Sequence, residues 1–106
     1  MSYREHEEKA NQLARFLKSN LRGRRAEVSQ ELAQMERISP PTALTYLSDC
    51  TSGFLLIKIS PLSRAYHELQ LIRLSKLFGI LNVPENHEIV SAVRGINPNF
   101  EYKRTQ

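Results

Sequence analysis

The sequence predicts one mainly α-helical domain of about five helices, with a short strand over 54–59 as its one non-helical element. Three observations lead there. Apolar residues recur at helical spacing through most of the chain. Proline and glycine mostly fall between the periodic segments. A chain of 106 residues, 41% hydrophobic and 25% charged, has the ordinary composition of a single globular core. At that size roughly two-thirds of the unfolded surface can be buried. With one cysteine, Cys50, an intrachain disulfide is excluded. One domain, 1–106, is expected, with 1–9 frayed and 97–106 a mobile basic tail.

The first helix is read from Ala10, Leu13, Ala14, Leu17 and Leu21, an i, i+3, i+4, i+7, i+11 stripe. It spans about 3–21 and ends at Gly23, a natural C-cap. A second helix, about 25–36, buries Val28, Leu32 and Met35 between polar flanks. Ser39-Pro40-Pro41 breaks it, because proline lacks an N–H and disfavours helix in the residue before it. Proline suits a first helical turn, so Ser39 is read as the N-cap of a short helix over 40–48, with Ala43, Leu44 and Leu47 inward.

Residues 54–59, Phe-Leu-Leu-Ile-Lys-Ile, are β-favouring and bounded by Gly53 and Ser60-Pro61, which predicts the strand. It would pair with 100–102 or with the same strand of a second copy, since a lone strand leaves its edges unsatisfied. Periodicity alone leaves a buried helical turn open as the alternative. A long helix is expected from Pro61 to about Phe78, ended or bent by Gly79. Its apolar surface, continued to Leu81, is broader than a surface helix needs and suggests a core element or a partner face. A final helix is expected over 85–94, with Gly95 at its end.

Charge is the first pointer to function. Fifteen Lys and Arg against eleven Asp and Glu give a net charge of +4. The excess is local: Arg15, Lys18, Arg22, Arg24 and Arg25 fall in 15–25, which holds no acid. Such a cluster neutralises phosphates and releases counterions, the sequence-independent part of nucleic-acid affinity. Basic residues also favour helix C-termini, but that does not account for three arginines within 22–25. Arg37 is added to these as a sixth phosphate contact.

The stretch from Ser29 to Leu47 resembles a helix–turn–helix unit, taken as about 26–48. Leu32-Ala33, Ile38-Ser39, Thr42, Leu44 and Tyr46 stand at the matching positions. The resemblance implies a regulatory or accessory DNA-binding protein whose second helix approaches the groove. Thr42, Thr45, Tyr46 and Ser48 would read base edges, with few of the bidentate contacts that discriminate bases. Two positions depart from the pattern: Arg37 stands where glycine is usual, and Glu36 where an apolar residue is usual. The reading requires the arginine-rich stretch to lie open on the same side as the proline-started helix. The order of the second half also resembles ribbon–helix–helix proteins, whose strands pair across a dimer. Phe54, Leu56, Leu71, Leu74 and Phe78 would then form a homo-oligomer or partner surface, and the competing function is an adaptor docking through helix 61–81.

No enzyme chemistry is expected. His6, His67 and His87 are too scattered for a metal-ligand pair, and one cysteine cannot build a zinc site. The glycine motifs that cradle phosphates are missing, so no cofactor is expected. Cys50 with His67 is the one nucleophile–base pairing available, and a packed cysteine is the plainer reading. No apolar run approaches the length of a membrane span, and 1–20 lacks a leader-like apolar stretch, so a cytoplasmic setting without membrane contact is expected.

Overall fold

The computed structural model describes residues 3–103. Six helices follow one another: α1 (Tyr3–Leu21), α2 (Arg25–Glu36), α3 (Pro40–Cys50), α4 (Phe54–Ile59), α5 (Glu68–Ile80) and α6 (Glu88–Ile96). The fold is all-α, and the described residues contain no strand. One core joins all six. α1 packs mainly on α6, with α3 and α4 on the same inner side, and α2 packs on α3 and α5.

Helix boundaries follow local chemistry. Gly23 takes a left-handed φ of 76° and ends α1 as expected. Ser39 caps α3, its Oγ accepting from the Thr42 N–H at 3.3 Å. α2 ends at Arg37 in the left-handed region, φ 55° and ψ 44°, where the Ile38 N–H donates to the Ala33 carbonyl at 3.0 Å. The residue standing in the glycine position thus adopts the glycine conformation, and a non-glycine residue is strained there.

The segment 54–59 is a helical turn and a half, which overturns the expected strand. Its buried residues are Leu55, Leu56 and Ile59, while Phe54 and Ile57 face solvent. That i, i+1, i+4 pattern is helical; a strand would have buried alternate residues. Phe100 and Tyr102 are not a partner strand either. Both are buried against Phe78, with ring centroids 5.6 Å away in each case.

The long helix begins seven residues later than the proline at 61 suggests. Serine hydroxyls intervene: Ser60 Oγ accepts from the Leu62 N–H and Ser63 Oγ from the Ala65 N–H, both at 3.2 Å. These local bonds offer the backbone an alternative to helix. α5 starts only where His67 Nδ1 accepts from the Leu69 N–H at 3.1 Å, and α6 is capped the same way by His87 on Ile89 at 3.0 Å. Gly79 neither ends nor bends α5; the helix closes past it, at left-handed Asn82, with Val83 N–H on the Phe78 carbonyl at 3.0 Å. Gly95 lies inside α6, where a Cβ would stand 2.7 Å from Lys9 Cε, so it serves the close approach of α1.

Helix α1 includes residues 3–9, and buried His6 places Nδ1 3.4 Å from Ser60 Oγ. At the other end, buried Asn97 donates to the Ile59 carbonyl at 2.9 Å, and the Tyr102 hydroxyl donates to Val83 at 2.5 Å. Residues 97–103 are laid onto the core; 1–2 and 104–106 lie outside the described residues.

Candidate nucleic-acid interface

Arg15 and Lys18 are spaced i, i+3 on α1 and share one face of it, and Arg22 follows in the turn just past its last residue, Leu21. The opposite face carries Leu13, Leu17 and Leu21, all buried in the core. All three cations are therefore turned outward and exposed. Asn11 and Ser19, also exposed, fall on the same face. Neutral side chains of this kind contact phosphates too; they carry no charge, and only their place on the helical wheel marks them.

Gly23 turns the chain, and Arg24 and Arg25 open α2. Arg24 Nε is paired with Glu27 at 3.2 Å in an exposed i, i+3 contact. Arg25 Nη2 donates to Ser48 Oγ on α3 at 2.9 Å. Among the described residues no carboxylate lies within ion-pair distance of Arg15, Lys18, Arg22 or Arg25. Arg37 is exposed but stands at the far end of α2, about 18 Å of helix away from Arg25. It does not belong to the cluster.

The arginine-rich stretch and α3 share a side only at Arg25, so the condition set by the helix–turn–helix reading, that the stretch lie open beside the proline-started helix, is not met. Because α3 packs on the inner side of α1, the stripe Arg15–Lys18–Arg22 faces away from it. Helices α2 and α3 are joined by the expected short turn and pack on each other, with the Arg25–Ser48 contact at the start of α2 and the end of α3. Between them runs a shallow apolar groove lined by Ala26, Ser29, Pro41 and Leu44.

The expected base readers are engaged locally. Thr42 Oγ1 pairs with Ser39 Oγ at 2.7 Å, Thr45 Oγ1 donates to the Pro41 carbonyl at 3.0 Å, and Ser48 Oγ donates to Leu44 at 3.2 Å. Those three remain exposed. Tyr46 is different and overturns its assignment: it is buried, donates to the Gln70 carbonyl at 3.4 Å and carries the Arg73 guanidinium 6.0 Å over its ring. Burial holds its hydroxyl well above the ordinary tyrosine range.

The partner surface is also corrected. Leu56, Leu71, Leu74 and Phe78 are core residues, and of that set only Phe54 is open, at 61% exposure. The apolar side chains that do face solvent near it in sequence are Ile57 and Leu62. The strand-type reading misplaces Ile57, because alternation and helical spacing assign it to opposite faces.

Elsewhere the titratable groups are structural. Cys50 is fully buried, and burial pushes its thiol up to about 12, so it is no thiolate at neutral pH. His67, the one histidine weighed as its base, caps α5. Among the described residues no three His, Cys, Asp or Glu side chains form a metal-binding group, and no helix is long and apolar enough to cross a membrane. No protein-family model, curated protein or solved structure matches the chain.

Proposed function

We propose that the protein binds DNA through its backbone phosphates, as a small cytoplasmic accessory or regulatory protein, using the outer face of α1 and the corner that joins it to α2. One observation carries the reading: Arg15, Lys18 and Arg22 are exposed along the outer side of α1 and the turn after it, Arg25 opens α2, and no carboxylate among the described residues pairs with any of the four. Four cations of this kind release counterions on meeting phosphates, and guanidinium groups are suited to bidentate phosphate contact. Helix α3 takes no part in base reading. Its hydroxyls serve its own backbone and its tyrosine is buried. Affinity then comes from charge alone, with little sequence preference.

A second reading, a protein-docking module, rests on Phe54, Ile57 and Leu62, which are open on α4 and the turn after it. It no longer includes Leu71, Leu74 and Phe78, and the strand-paired dimer falls with the strand. A titration of a random duplex against salt separates the two. Phosphate binding predicts a plot of log affinity against log salt with a slope of about −3.6, from four contacts at roughly 0.9 each. No duplex binding at about 50 mM salt hands the function to the apolar surface.

A further inference from the structure

Among the described residues, the cation-bearing face carries no aromatic side chain on which the bases of a single strand could stack. Single-strand binders combine a basic groove with aromatic side chains on which successive bases stack. The exposed residues of α1 and the corner include no aromatic side chain among those described. Phe16, the aromatic residue nearest Arg15 in the chain, is half-buried and turned inward, its ring 6.2 Å from Phe78 and 5.0 Å from His87. The well-exposed aromatic, Phe54, stands on α4, which packs against the inner side of α1 and so lies away from the stripe.

The face is instead a rigid line of charge. Arg15 and Lys18 stand three residues apart on α1, about 4.5 Å along its axis, and Arg22 and Arg25 follow in the Gly23 turn and at the start of α2. A duplex presents a negative charge every ~1.7 Å of its axis, on a surface as stiff as the helix that meets it. A flexible single strand has a lower charge density and would lose conformational freedom on ordering, with no stacking to offset the loss.

Resting on the phosphate reading, we infer that the nucleic acid bound at the α1–α2 corner is double-stranded, gripped by shape and charge without base stacking. The test measures fluorescence anisotropy of the full chain with three probes at one salt concentration. They are a labelled random duplex, one of its strands alone, and vesicles containing phosphatidylserine. The duplex is expected to bind at least about fivefold tighter than the strand and the vesicles. Converting Arg15, Lys18 and Arg22 together to Glu is expected to abolish binding of the duplex and leave the helical circular dichroism unchanged. A single strand held as tightly as the duplex overturns this inference and leaves the phosphate reading standing. Preference for vesicles, or no binding to any probe at low salt, overturns both.

Discussion

The two ends of α2 treat positive charge in opposite ways. At its start, Arg25 joins Arg15, Lys18 and Arg22 in a group without acidic partners. At its end, Glu36 is almost wholly buried and draws in two cations from α5: Arg73 Nε at 3.2 Å and Lys76, which grips the other carboxylate oxygen. The Arg73 guanidinium also covers the Tyr46 ring, and Tyr46 is linked in turn to buried Cys50. A cation that serves the fold is recognisable by its carboxylate and its burial. Arg15, Lys18 and Arg22 are exposed and, among the described residues, have no carboxylate partner, and that difference is what marks them as available to a ligand.

The largest effect expected on the structural end comes from alkaline pH. Tyr46 and Cys50 are both held neutral by burial, with folded-state values above those of the unfolded chain. The native state therefore keeps protons that the unfolded state releases. The stabilisation is complete below the unfolded thiol value near 9 and is lost as pH climbs toward about 12. Cys50 accounts for a loss of roughly 1 kcal/mol per pH unit in that window, and Tyr46 adds to the decline only above its own unfolded value near 10. Urea unfolding between those pH values should show the decline, and Cys50→Ala should flatten it. Next in size, Glu36→Ala leaves Arg73 and Lys76 without their carboxylate and is expected to cost about 1–3 kcal/mol, discounted for their partial exposure. A matching drop in the urea midpoint at unchanged slope checks this.

These partners show what could be read in advance and what could not. Helical spacing and capping residues placed α1, α2 and α3 closely, because Leu13, Leu17, Leu32 and Ala43 repeat on the helix period and Gly23 and Ser39 are strong boundary signals. The acid-free arginine stretch was equally legible, since charge pattern needs no tertiary information. Segment 54–59 was not. A segment in which Phe54, Ile57 and Ile59 favour strand was drawn into a helix by the apolar contacts of Leu55, Leu56 and Ile59, which are tertiary. Stretch 61–81 divides in two: Leu71, Leu74, Leu77 and Phe78 are core, while Leu62, Leu69 and Ile72 stay exposed, and sequence alone could not tell the buried side from the open one. The two departures from the helix–turn–helix pattern both acquire physical content. Glu36 is polar because it anchors α5, and Arg37 tolerates the left-handed turn that glycine would take without strain.

That second departure supplies a smaller test. Arg37→Gly is expected to stabilise the fold by about 0.5–1 kcal/mol, because it relieves the left-handed strain at φ 55°. Duplex binding should not change, since Arg37 lies outside the corner. A loss of binding in that variant would extend the interface along α2. The smallest stability effects belong to the corner itself. Single alanine substitutions at Arg15, Lys18 or Arg22 should leave the thermal midpoint within the equivalent of about 0.5 kcal/mol, because their side chains are exposed and unpaired. Each should nevertheless lower the salt slope of duplex binding by about 0.9.

The most direct measurement compares charge reversal at the corner with charge reversal elsewhere on the surface. Arg22→Glu with Arg25→Glu removes two of the four clustered cations, while Arg64→Glu changes an exposed arginine in the turn before α5. With low-salt duplex affinity as the readout, the double variant should lose most of its binding and the Arg64 variant only the small part owed to net charge. Equal losses in the two would show that the corner has no special role, and the assignment of DNA binding to it would be wrong.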